Sequence, residues 1–307
     1  EAMPERVVSV LRSLRPEPLI FGHTTDAFGR ILGCKMPRSF IRTAIQSDVT
    51  FLCGMGRMAR QLERKGAKNI LLMPNGVCQV RFAQPLDRGS YRPEFDIVFI
   101  GNNPRFRNPF NRYPGLSGRQ KMVKALFKRY GKRFAVFGQG WGAEVGGMGV
   151  VPFVDQHALY RRSRLCIGHA ALLDLDYYCS NRTFIAIASG IPYLEKYVPR
   201  LETLLEDGKH CHFYRSPDEA VRICDRLLEQ SPESLLESGA RAAQYILARH
   251  TDEERVRSML RIVSGLRESR QKDGLVPDPD LDFFLDSIDR RREYPHCVFQ
   301  AARAGSV

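Results

Sequence analysis

The chain has 307 residues, 43% of them hydrophobic and 26% charged, which excludes a disordered chain and leaves room for two domains. Its 47 Lys and Arg against 34 Asp and Glu give a formal net charge of +13. That surplus favours anionic partners, whether nucleotide phosphates, nucleic acid, acidic polysaccharide or a lipid surface, and chooses none of them. No apolar run approaches the ~18 residues of a membrane span and no signal peptide heads the chain, so a cytoplasmic protein is expected. The 8 cysteines include no C-x-x-C pair and read as reduced core thiols, not a zinc site or a disulfide framework.

In chain order, residues 4–14 predict an amphipathic helix with Val7, Val8, Val10, Leu11 and Leu14 on one face. Pro16 and Pro18 stop it. Leu19-Ile20-Phe21-Gly22 then predicts a strand that ends in His23-Thr24-Thr25-Asp26. Functional groups often stand at the carboxyl ends of strands in open α/β sheets, so His23 and Asp26 are marked; a polar loop with Asp26 capping a turn fits equally. Val49 to Cys53 reads as a strand, Met55 to Lys65 as a helix closed by Gly66, and Ile70 to Met73 as a strand before Pro74-Asn75-Gly76-Val77. The polar stretch from Pro85 to Pro93 suits an interdomain linker.

A second α/β series opens with the strand Asp96 to Gly101. It continues with a helix over Lys121 to Tyr130, a strand over Arg133 to Phe137, a helix over Gln156 to Arg164 and a strand over Leu165 to His169. Strands alternating with helices predict βαβ units and a parallel sheet. Phe184, Ile185, Ile187 and Ala188, at helical spacing, follow a polar start at Ser180-Asn181-Arg182 and end at Ser189-Gly190. The first turn of such a helix carries unpaired N–H groups and the positive end of the peptide dipoles, so 180–182 is a natural anion site. An ordinary N-cap with Arg182 on the surface is the plainer account. Ile191 to Leu194 reads as a short buried strand, Val198 to Leu205 as a helix, and residues from Pro217 to about Arg270 as mainly helical. Leu281 to Arg292 predicts one more helix after a Pro/Gly-rich break.

The runs N-R-T-F-x-A-x-A-S-G-x-P from Asn181, V-P-x-L-E from Val198, D-G-K, F-Y-R-S-P-D-E-A and A-R-H-T at 248–251 together resemble the C-terminal half of group-one glycosyltransferases of the spore-maturation-protein type. The resemblance spans roughly residues 95–262, and weakly 17–82. It implies a GT-B architecture: two Rossmann-like domains that take a sugar from a nucleotide-diphosphate donor without a bound metal or other cofactor. The domains would be residues 1–88, on the acceptor side, and 89–270, which bind the nucleotide sugar, with the tail 271–307 crossing back to the first. Residues 1–88 hold only two or three βα units, fewer than that family's first domain, so the domain is expected to be short or incomplete. The opening Glu1 leans towards a missing segment.

A metal-free transfer must stabilise charge growing on the leaving diphosphate with helix N–H groups, small polar donors and a cation. Ser180, Asn181 and Arg182 supply all three, and Gly101-Asn102 at a strand end would let backbone approach the same phosphates. Where the retaining pattern has two Glu eight positions apart, this chain has Tyr177 and Ile185. Glu202, which matches the family's P-x-L-E, and Glu195 are the remaining acids near the nucleotide half, and each is also explained by a cap or an ion pair. Trp141 and Tyr193 could flank a base, though core packing accounts for both. Asp174-Leu175-Asp176 has the form that holds a divalent metal in another glycosyltransferase fold; ahead of the nucleotide helix it reads as a polar loop, and no metal site is assigned.

In an inverting transfer Asp26 would be the base, with His23 as helper and His169 a further cleft candidate. The loop 104–113 interleaves cations with aromatics, which suits a modified DNA base as acceptor, a mobile lid or a solvated loop. The acceptor, carbohydrate, protein or DNA base, stays open. So does a rival class, a GT-B-like module that holds a nucleotide or polyanion without turnover.

Overall fold

The computed structural model describes residues 4–28, 35–104 and 113–271, and they form two parallel sheets. Helix α1 (Glu5–Ser13) precedes a three-stranded sheet, β1 (Phe21–Thr24), β2 (Val49–Leu52) and β3 (Ile70–Leu72), in the order β1-β2-β3. Helices α2 (Arg38–Gln46) and α3 (Arg57–Glu63) connect these strands, and α4 (Gln79–Phe82) leads into the linker. The second sheet has the order β5-β4-β6-β7-β8. Its strands are β4 (Phe95–Ile100), β5 (Phe134–Phe137), β6 (Ser163–Ile167), β7 (Tyr193–Lys196) and β8 (His212–Tyr214). Around it lie α5 (Leu116–Tyr130), α6 (Gln156–Tyr160), α7 (Asn181–Ala188), α8 (Pro217–Leu228), α9 (Pro232–Arg249) and α10 (Asp252–Gln271).

The second sheet is buried on both faces, and its sequence shows why. Ile97, Phe99, Phe134, Val136, Leu165 and Ile167 join the cluster under α5 and α8, while their neighbours Val98, Ile100, Ala135, Phe137 and Cys166 join the cluster under α6 and α7. Side chains alternate across a strand, so only an unbroken apolar run serves two packed faces. The second of these clusters is continuous with the core of the first domain, through Phe51, Leu52, Met58 and Leu72.

Several elements depart from the predicted ones, among them α6, which ends at Tyr160 and gives way to β6 at Ser163, and α2 and α4, which the sequence pattern does not announce. Strand β1 runs two residues further than expected and includes His23. Helix α5 begins at Leu116, not Lys121. The predicted helix 198–205 is only a 3-10 turn, Leu201–Thr203: Pro199 lacks an N–H, and Arg200 ahead of the turn is left-handed with φ 66°. Strand β8 was not foreseen, three residues being too short for a period to register.

The halves are sutured by backbone and side chains together. Met55 N–H donates to Asp176 O at 2.9 Å, Asn75 Nδ2 to Cys179 O at 3.1 Å, and Arg57 Nε to Asp174 Oδ2 at 3.0 Å. On the far side α10 leaves the second domain and docks on the first. Arg255, 3% exposed, donates to Pro74 O at 2.9 Å, and Asp252 N–H donates to Val77 O at 3.0 Å. The 281–292 helix and the crossing tail of the sequence reading lie outside the described residues.

Buried histidines set an acid limit on this fold. Burial and, secondarily, the Arg161 charge push His157 down to about 4; burial, then Arg119 and Lys196, push His169 down to about 3. Each is depressed below its unfolded value, so the stability it contributes is complete above the ordinary histidine range, near pH 6.5, and is lost as pH falls towards the folded value. Unfolding free energy is therefore expected to drop between pH 6.5 and 4. In His157→Gln, urea titrations should show a shallower pH dependence, by up to about 2–3 kcal/mol across that window. An unchanged slope would remove His157 from this account.

Candidate functional site

A polar cavity of about 50 Å³, several waters' worth, lies at the carboxyl ends of β4, β6 and β7. Ile100, Gly168, His169 and Glu195 come from the carboxyl ends of the strands, Tyr193 from the start of β7, Arg119 from the first turn of α5, and Tyr178, Ser180 and Arg182 from the segment that opens α7. Ligands of open α/β sheets bind at this edge, and here the strand order reverses on either side of β4 and β6.

The start of α7 is left open. In α8 and α9 the capping hydroxyls accept hydrogen bonds, Ser216 Oγ from Glu219 N at 3.1 Å and Ser231 Oγ from Ser234 N at 3.2 Å. Ser180 holds the same position before α7 in extended conformation, and its side chain makes no capping bond. Thr183 N–H donates to Ser180 O at 3.0 Å, and the N–H groups of Asn181 and Arg182 carry the positive end of the helix beside the cavity. Arg182, half-exposed, stands one residue into the helix at the cavity wall.

Arg119 is the second cation. It is 6% exposed, donates from Nε and Nη2 to His169 O at 3.1 and 2.6 Å, and donates from Nη1 to Asn102 O at 2.6 Å. Burial first, then the Arg182 charge, push its guanidinium down to about 10. Two like charges in one walled pocket repel, and an anion between them would relieve that repulsion. Glu195, 2% exposed, is the acid of the cavity. It accepts from Tyr193 OH at 2.6 Å, Thr183 Oγ1 at 2.8 Å and Lys196 N at 3.0 Å, and burial pushes its carboxyl up.

The expected residues fall into distinct places. Ser180 and Arg182 line the cavity, with Asn181 between them. Gly101 follows Ile100 and accepts from Trp141 Nε1 at 2.6 Å; Asn102, held by Arg119, also accepts from Gln139 N at 2.9 Å through Oδ1. Glu202 does not line the cavity. It is exposed and accepts from Tyr197 OH at 2.9 Å. Tyr177 and Ile185 are both 1% exposed. His169 lines the cavity, its Nδ1 2.9 Å from Tyr214 OH.

Across the seam, Asp26 is exposed, and its charge reaches Cys53 and the cavity residue Tyr178. His23 instead lines a separate groove of about 350 Å³ with Asn75, Arg255, Met259 and Leu260. Asp174 and Asp176 serve the domain seam, and among the described residues no group of three or more His, Cys, Asp or Glu is placed to hold a metal ion. The 104–113 loop falls almost wholly outside the described residues. Arg119 and Tyr178 were not foreseen. Arg119 could have been: it takes an inward position on the stripe Leu116, Met122, Val123, Leu126, where an arginine is out of place.

Two Rossmann-like parallel halves joined across such an edge make this an α/β protein of GT-B architecture. Residues 118–261 match the family model described as glycosyl transferase-like. Among solved structures, the chain is similar to Anabaena Alr3699/HepE in complex with UDP-glucose, with TM-score 0.57, 11% identity, and coverage of 83% of this chain and 75% of that one. It is also similar to sucrose-phosphate synthase from Thermosynechococcus elongatus, with TM-score 0.52, 14% identity, and coverage of 75% and 61%. TarM of S. aureus in complex with fondaparinux, alpha-GlcNAc-glycerol and UDP gives TM-score 0.50, 12% identity, and coverage of 78% and 50%. The chain thus spans only about three-fifths of the synthase and half of TarM. No curated protein sequence matches it. No helix of the described residues is long and apolar enough to cross a membrane.

Proposed function

We propose that this protein is a glycosyltransferase that moves a sugar from a nucleotide-diphosphate donor to an acceptor hydroxyl or amine, of the group-one, spore-maturation-protein type. The observation that carries this reading is the convergence of Arg119, Arg182 and the open N-terminus of α7 on one cavity at the switch point of the second sheet. The donor's diphosphate would lie there, its growing charge met by two guanidiniums and by the backbone N–H groups, with no metal required. The UDP-glucose complex of the similar Anabaena fold supports a nucleotide-sugar donor. Asp26, exposed just past β1 on the first domain, is the proposed base that takes the acceptor's proton. His23, in its own groove, is left without a step in transfer.

The burial of Tyr177 and Ile185, where a retaining enzyme of the group would carry acids, favours a second reading as a nucleotide- or polyanion-binding module without turnover. Incubation with UDP-glucose, dTDP-glucose and GDP-mannose, followed by assay of free nucleoside diphosphate, separates the two. The glycosyltransferase reading expects slow release from at least one donor, water replacing the acceptor. Binding of the nucleotides with no release over hours would select the module instead.

A further inference from the structure

We propose that Tyr178 is a catalytic residue of this site, its phenol donating a hydrogen bond to the oxygen that joins donor sugar and diphosphate. The inference rests on the glycosyl-transfer reading and goes beyond it, because the acids of the retaining pattern are replaced here by Tyr177 and Ile185.

The geometry begins one residue earlier. Tyr177 is left-handed, with φ 63°, a conformation that costs an aromatic residue about 1–3 kcal/mol and persists only where the surroundings impose it. That twist sends Tyr177 into the core at 1% exposure and turns the next side chain to the cavity wall. Both flanks are then fixed by the first domain. Asp176 O accepts from Met55 N–H at 2.9 Å and Cys179 O accepts from Asn75 Nδ2 at 3.1 Å. At Gly54, two residues past β2, an added Cβ would stand 3.0 Å from the Tyr178 Cβ, tighter than ordinary contact. Glycine at that position lets the first domain close on the ring. The side chain therefore packs beside Gly54 of the first domain and lines one cavity with Arg119 and Arg182 of the second.

Its chemistry suits a donor that keeps its proton. Burial, and secondarily the neighbouring thiols Cys53 and Cys179, push the phenol well above its ordinary value. A hydroxyl that keeps its proton, on a wall shared with Arg119 and Arg182, is a donor that the departing diphosphate oxygen would meet. In the transfer, the bond from the anomeric carbon to the diphosphate oxygen breaks, and its electron pair passes to that oxygen. The acceptor's oxygen or nitrogen forms the new bond to carbon and releases its proton to Asp26. The nucleoside diphosphate departs with Tyr178 still protonated and hydrogen-bonded to it. A donor aimed at charge that appears only in the transition state raises kcat more than it tightens ground-state binding.

The test uses the full chain and release of nucleoside diphosphate from UDP-glucose, dTDP-glucose and GDP-mannose. Tyr178→Phe keeps the ring against Gly54 and removes only the hydroxyl. Its kcat is expected to fall by about 10²-fold, with KM within about threefold and Tm within about 2 °C of the wild type. Tyr178→Leu should fall equally in rate while also losing several degrees of Tm. A Phe variant with wild-type kcat, alongside a destabilised Leu variant, makes the residue a wedge between domains and overturns this inference alone. Wild-type protein that neither binds nor consumes any of the three donors overturns the glycosyl-transfer reading and this inference with it.

Discussion

Arg182→Ala is expected to cut nucleotide-sugar turnover by about 10²–10³-fold while leaving the folded protein intact. The side chain is half-exposed at the cavity wall on the first turn of α7, so its removal exposes no core and leaves the apolar stripe Phe184, Ile185, Ile187 untouched. What disappears is a guanidinium beside the place where the leaving diphosphate gains charge. Loss of one such donor in a walled site costs about 2.7–4 kcal/mol of transition-state stabilisation. Because the charge grows during bond breaking, most of the loss should appear in kcat. Steady-state kinetics with a thermal melt check both halves. Wild-type kcat in Arg182→Ala would remove the residue from the site.

Arg119→Ala should harm both folding and donor binding. The buried guanidinium spans two loops, tying His169 O with two hydrogen bonds and Asn102 O with a third, and no water-exposed group replaces it. Truncation leaves the buried His169 carbonyl short of its donors at about 1–3 kcal/mol, releases the Asn102 carbonyl, whose residue is exposed, and opens a space at the floor of the site. Urea unfolding should therefore show a loss of about 3 kcal/mol or more, and nucleoside diphosphate affinity should fall by at least tenfold. Arg119→Lys is the control. It keeps the charge and loses the planar fork that holds both loops, so it should recover part of the affinity and little of the stability. A stable Arg119→Ala with full affinity would mean that this cation neither knits the strand ends nor meets a ligand.

The parts of this fold that announce themselves in the sequence are those with long, two-faced apolar runs. Asp96 to Gly101 and Leu165 to His169 read as strands because both faces of the second sheet are buried, and the polar-to-apolar change at Ser180 marks the start of α7. The short first sheet was legible for the same reason, since β2 and β3 are buried at every position and apolar but for Thr50. What local pattern conceals is what depends on distance in sequence. Tyr178 gains its place from Gly54 and Met55, more than a hundred residues earlier, and from a left-handed residue that no propensity favours. The D-x-D at 174–176 resembles a metal motif in isolation, yet its partners are Arg57 and the Met55 amide, so it holds the domains together. Glu202 shows the converse: its motif matched a family, and its carboxylate faces a tyrosine on an exposed turn. Arg119 was readable in principle, since a cation on an inward helical position demands a partner, and it was hidden only by starting α5 five residues late.

The central claim is that the opening turn of α7 and two guanidiniums form a diphosphate site at the meeting of the two halves. A crystal structure of the protein soaked with UDP tests it most directly. The account predicts phosphate oxygens within hydrogen-bond distance of the backbone N–H groups at 181–182 and of Arg182, with Arg119 behind them and Tyr178 alongside. Phosphates bound in the His23 groove or at the linker, with the α7 end occupied only by water, would contradict it.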